Sequence, residues 1–171
     1  LIALFLHMRS NLKHPNLVAH LPGPERAERD VRLKGEFSMS ESNKNLLRQS
    51  LKEAWNQEDL SAVEEFYAAD VVLHGSLPGA EGIEGVRKVI GAYRAAFPDL
   101  CITIEDLVAE GDRVVNRWSM TGTHKGEFMG LAPTSKKVTS TGISIARIAD
   151  GKIAEIWGAS DQLGLIQQLG A

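Results

Sequence analysis

The sequence predicts an α+β domain, with helices in its first part and a sheet of long antiparallel strands in its second. Three observations carry this. Apolar residues recur at helical spacing up to Phe97. From Cys101 onward they alternate at period two. Asp150-Gly151 then separates two alternating runs, a strong signal for a two-residue hairpin turn. Helices followed by strands argue for a curved sheet with helices packed on one face. A twisted sheet roofed in this way leaves a concave apolar space, the default place for a small-molecule site.

In chain order, residues 1–38 show no sustained period and carry His14-Pro15 and Leu21-Pro22-Gly23-Pro24. They are expected to lie outside the domain, as a disordered or non-native extension or an arm that packs on a partner. The apolar run at the start is short for a secretory segment. Met39-Ser40-Glu41 resembles a natural start, with Ser40 as a helix cap, so the domain is expected over 39–171. Leu47, Leu51, Ala54 and Trp55 share one helical face, which predicts a first helix over 41–56. Asp59 can cap a second short helix reaching Tyr67. A strand over 71–74 ends at His74, and Gly75, Pro78, Gly79 and Gly82 form a loop. Val86, Val89, Ile90, Tyr93 and Phe97 mark a third helix, stopped by Pro98.

The sheet follows. Cys101–Glu110 and Arg113–Thr123 form a hairpin around Gly111-Asp112, with Val114, Asn116, Trp118 and Met120 on one face. Residues 122–133 form a glycine-punctuated loop whose Phe128, Met129 and Leu131 suit closure over a site. Residues 138–149 make the next strand. The last strand leads to Asp161 and a short apolar helix. Regular alternation there would put Ile153, Glu155, Trp157, Ala159 and Asp161 on one face.

Composition narrows the function. A formal charge of −3 leaves no basic footprint for nucleic acid. No apolar run approaches the roughly 20 residues that span a bilayer. The single Cys101 cannot form an internal disulfide and favours a reducing, cytoplasmic setting. Only His74 and His124 lie beyond residue 38, without zinc-ligand spacing, so no metal is expected.

Several segments occur together and in order: Phe97-Pro98-Asp99-Leu100, Glu110-Gly111-Asp112-Arg113-Val114, Arg117-Trp118, Gly122-Thr123-His124, Pro133-Thr134, Arg147, Asp150-Gly151-Lys152-Ile153, Trp157, Asp161 and Gln168-Leu169-Gly170. From about residue 41 to its end the chain thereby resembles the SnoaL-like polyketide cyclases, or ester cyclases, of the nuclear-transport-factor-2-like fold. The resemblance implies a cone-shaped α+β barrel, an antiparallel sheet wrapped around N-terminal helices, with a deep pocket and a homodimeric state. It also implies a pocket aspartate, matched by Asp161, that acts as general acid/base in the aldol closure of a polyketide ester without metal or cofactor. His74 and His124 match further family positions. Ser135 stands where many relatives have glycine after Pro-Thr.

The expected catalytic residues are thus Asp161 and His74, in a substrate pocket of Tyr93, Phe97, Trp118, His124, Phe128 and Trp157. A carboxylate in water, with pKa about 3.9, is too weak a base for a carbon acid. Burial among aromatic rings disfavours the anion and strengthens the base. A histidine or tyrosine can then stabilise an enolate oxygen. The plainer reading of Asp161 is a helix N-cap before Gln162-Leu163-Gly164. The expected partner is a small apolar or aromatic molecule. The alternatives are a non-catalytic ligand-binding module, a hydrolase or isomerase in the same pocket, and a purely dimeric scaffold.

Overall fold

Residues 24–75 and 80–170 are described by the structure, a computed structural model. The chain divides into two units, Leu1–Phe37 and Ser38–Ala171. In the first, the residues from Pro24 are helical, and the helix is continuous over Pro24–Ser50, here α1. This corrects the expected start near residue 41 and removes Ser40 as a cap. The segment Glu25–Glu36 escapes a periodicity search because it is polar nearly all round. Its helix rests on good helix formers and pairs such as Arg32 Nε to Glu36 Oε1 at 2.8 Å. The expectations for residues 1–23 lie outside the described residues.

In the second unit, α1 widens into a π-helical turn over Leu51–Asn56. Asn56 closes it against the sheet, its Nδ2 donating to Ile102 O and its Oδ1 accepting from Ile102 N, at 2.9 and 2.8 Å. Asp59 caps the next turn by accepting from the amides of Ser61 and Ala62. A 3₁₀ turn over Leu60–Ala62 and a short α2, Val63–Phe66, lead directly into β1, Tyr67–His74. The strand thus starts four residues before the predicted 71. After it come α3 (Gly82–Ala96), β2 (Cys101–Glu110), β3 (Arg113–Thr123), β4 (Lys137–Ala149), β5 (Lys152–Ser160) and α4 (Gln162–Leu169). Asp150 and Gly151 have φ of 50° and 71°, as a type I′ hairpin turn requires.

The sheet order is β1-β5-β4-β3-β2. Three pairings are antiparallel, but β1 runs parallel to β5. The expected α+β class holds, with helices preceding a mainly antiparallel sheet; the departures from the expected barrel are that the sheet is open and that its β1–β5 pair is parallel. A β1–β5 pair so far apart in sequence escapes a reading built on adjacent hairpins.

Two apolar clusters fill the interior. One joins Leu47, Val63, Phe66, Val71, Ile90 and Ile153. The other joins Phe97, Leu100, Met120, Phe128, Val138 and Leu165. Trp55 packs against both.

Candidate functional site

Alternation along β3 turns Val114, Asn116, Trp118 and Met120 inward and Arg113, Val115 and Arg117 outward. On β4 the inward residues opposite include Gly142, Ser144 and Ala146. On β5 the phase changes. Arg147 pairs with Glu155, yet the next residue, Ile148, pairs with Ile153, so Ala154 is an extra residue in a bulge. Ile153 and Ile156 consequently both face inward, followed by Gly158 and Ser160. Glu155 and Trp157 face outward.

These strands, with α1, its π turn and α3, enclose a cavity of about 630 Å³. Its wall is mostly apolar, with Leu51 and Trp55 from the π turn, Val86 and Tyr93 from α3, and Trp118 from β3. Met129 belongs to the lining while remaining 57% exposed, which puts it at the mouth. The polar lining residues are Asn116, Ser144, Ser160, Gln162, the two tyrosines and His74. Trp118 Nε1 donates to Ser144 Oγ at 3.0 Å across the β3–β4 pair. Burial pushes the phenols of Tyr67 and Tyr93 up, so both stay protonated.

Behind Trp118, Gly142 on β4 leaves no room for a side chain. A Cβ there would lie 2.3 Å from the Trp118 ring and 2.7 Å from Ala159 O. Gly142→Ala should therefore cost about 1–3 kcal/mol by overpacking, read by chemical denaturation, and should shift the fluorescence of Trp118.

Tyr93 and Trp118 line the cavity, and His74 borders it from the end of β1 with its ring turned to the outer face; the other expected site residues do not line it. Phe97 and Phe128 form a core pair at 5.1 Å between centroids. His124 is fully buried beside Phe97 at 5.4 Å, outside the cavity wall. Its Nδ1 accepts from Thr134 N at 3.2 Å, which leaves the proton on Nε2. Nε2 has no partner, so the side chain serves as a clasp for the loop over 124–136. Ser135 holds φ at 59° in this loop, the left-handed conformation that glycine takes without strain.

Trp157 stacks on His74 on the outer face, with centroids 4.5 Å apart, and Arg113 lies 5.2 Å above the Trp157 ring. Asp161 is exposed and caps α4, its Oδ1 accepting from Gly164 N at 2.8 Å. The pocket burial expected for it is absent, because the bulge at Ala154 and the end of β5 leave Ser160 and Gln162, on either side of it, as the lining residues. Asp161→Ala should cost about 1 kcal/mol of stability. Asp161→Asn should cost little, because asparagine caps equally well. Thermal melts of the two variants check this.

His74 is the last residue of β1. Its Nε2 lies 3.1 Å from Glu155 Oε2, and Arg147 Nε donates to Glu155 Oε1 at 2.7 Å. The hydrogen bond from His74, then that from Arg147, holds the Glu155 carboxyl below its usual range. The contact contributes stability above the normal carboxylate range and loses it as pH falls through the lowered value. An anionic Glu155 fixes the proton on Nε2 and leaves Nδ1 as the acceptor. The Arg147–Glu155 pair is expected from the hairpin at Asp150-Gly151, whereas sequence spacing did not reveal the His74–Glu155 contact, since β1 and β5 meet only through the parallel pairing. Asn116 and Ser144 were also missed as site residues, although a polar residue among Val114, Trp118 and Met120 was a visible signal.

Over residues 45–169 the sequence matches the SnoaL-like polyketide cyclase family. The chain belongs to that family. It is 28% identical over 123 residues to the aklanonic acid methyl ester cyclase of Streptomyces peucetius, covering 69% of this chain and 84% of that one. It is 29% identical over 90 residues to the nogalonic acid methyl ester cyclase of Streptomyces nogalater, covering 52% and 67%. Among solved structures it is similar to TsrD from Streptomyces laurentii, with a TM-score of 0.71 and 32% identity over 76% of this chain and 96% of that one. IdmH from Streptomyces antibioticus gives 0.65 and 36% over 75% and 99%. These SnoaL-like neighbours have the nuclear-transport-factor-2-like fold.

Proposed function

We propose that this family member takes a small apolar or aromatic carbonyl compound into its cavity and assists an intramolecular aldol closure by moving protons. The observation that carries this is the cavity itself, large enough for a fused-ring ligand and walled by Trp55, Tyr93 and Trp118. Its membership of the family and its ester-cyclase relatives support the reaction class. In such a closure a base takes a proton from the carbon beside a carbonyl. That carbon attacks a second carbonyl, and the resulting alkoxide is protonated. The step is redox-neutral and demands no cofactor.

The base we infer is His74. Among the described residues that border the cavity it carries the one imidazole, which stands at the rim beside Trp157 with Nδ1 left to accept a proton. Glu155 orients it and stabilises its protonated form. Tyr93, kept protonated by burial, can donate to a developing enolate oxygen. Asp161, exposed and engaged as a cap, is left to position Gln162 at the cavity wall. The homodimer belongs to the same proposal, with Val72, Val115 and Ile143 on the outer face as the exposed surface it would cover.

A second reading, a binder without chemistry, is favoured by one observation. No carboxylate lines the cavity among the described residues, and the His74 ring is engaged by Glu155 and Trp157, which stand outside it. Incubation of the protein with aklanonic acid methyl ester, followed by chromatography for the ring-closed isomer, separates the two. Product above the uncatalysed rate supports the cyclase; saturable binding without product leaves the binder.

A further inference from the structure

Asn116 stands out in the cavity wall. It is 2% exposed, its Oδ1 is buried, and that oxygen has no hydrogen-bond partner. A buried amide oxygen left unpaired is costly, and an apolar residue of similar size avoids the cost. The other inward positions of β3, Val114, Trp118 and Met120, are apolar. The strand thus admits one polar side chain, and it does so at the cavity wall.

The polar group opposite strengthens the point. Ser144 is the β4 residue paired with Asn116 and also lines the cavity. Its Oγ already accepts from Trp118 Nε1, so its own proton remains available to a second acceptor. Asn116 and Ser144 therefore place an acceptor and a donor at paired positions of the β3–β4 part of the wall.

We propose that Asn116 Oδ1 is a recognition point for a ring hydroxyl, phenolic or enolic, on the molecule that fills the cavity. The hydroxyl donates to Oδ1, and its oxygen accepts from Ser144 Oγ. The unpaired state of Asn116 is then the unliganded half of a specific contact. The inference rests on the reading of the cavity as a small-molecule site and adds to it which ligands are preferred. A site built to bond a hydroxyl discriminates against analogues without one, because its own polar groups would stay unpaired.

The test is calorimetric titration of the whole protein with 2-naphthol and 2-methylnaphthalene, for the wild type and for Asn116→Leu. The wild type should favour the naphthol, and the leucine variant should lose that preference by about tenfold or more while still binding the methyl compound. The variant should also melt at a higher temperature without ligand, since an unpaired buried oxygen has gone. An equal affinity ratio in the two proteins would overturn the Asn116 contact and leave the cavity reading standing. A lower melting temperature for both Asn116→Leu and Asn116→Val would show that the amide has an internal structural role, and would overturn the proposal as well. No binding of either probe to the wild type would remove both the contact and the small-molecule reading.

Discussion

Replacing His74 with alanine should lower the rate of ring closure by about 10²–10⁴-fold, the usual contribution of a positioned acid/base. Substrate affinity should change far less, because the apolar wall supplies most of the contact. The argument is one of elimination followed by geometry. The described lining residues include no aspartate, glutamate, lysine or cysteine. Both tyrosines are held protonated by burial. Only the imidazole remains, and its tautomer is set by the carboxylate at 3.1 Å. Glu155→Gln should give a smaller loss, because it keeps the shape and removes the charge that favours the imidazolium. Glu155→Asp should recover part of the loss, a rescue that a packing defect would not produce. Glu155 itself is held ionised across the neutral range by His74 and Arg147. Rates for His74→Ala within threefold of wild type would remove the histidine from the mechanism. Loss of turnover in Asp161→Asn, with its cap intact, would transfer the role to the aspartate.

The contrast between those two residues shows what the sequence could and could not disclose. Helix periodicity located α3, and alternation located β2 to β5 and the turn at Asp150-Gly151, because each is a local signal. The face of Trp157 was not local. It depends on one extra residue, Ala154, whose effect is visible only when β5 is paired with β4. A single bulge moves every later side chain to the other face. It therefore carried Trp157 out to His74 and Arg113 and put Gly158 and Ser160 at the cavity wall. The N-terminal part of α1 failed for another reason. A helix made of charged residues has no apolar face for a periodicity search to find.

Phe97 was expected to touch substrate, and its real position predicts a large stability effect. Phe97→Ala should destabilise the protein by about 3–5 kcal/mol, measured by urea denaturation. The ring is fully buried where α3 ends, and it meets Phe128 at 5.1 Å and His124 at 5.4 Å. Its Cβ lies 2.9 Å from where a Cβ on Gly122 would be, so the strand approaches too closely to collapse inward and refill the space. The vacated volume would stay lined by Phe128, Met120 and Leu100, the condition under which the cavity term is large. The consequence reaches the site. Lys125 and Gly126 donate to Ala96 O, next to Phe97, and anchor the loop that carries Met129 to the cavity mouth. Loosening the ring therefore loosens the mouth, and Phe97→Ala should weaken ligand binding even where the protein remains folded. Phe97→Leu fills more of the space and should lose about half as much stability. Equal losses for the two variants would show that Phe97 acts through its aromatic contacts with Phe128 and His124 more than through the volume it fills.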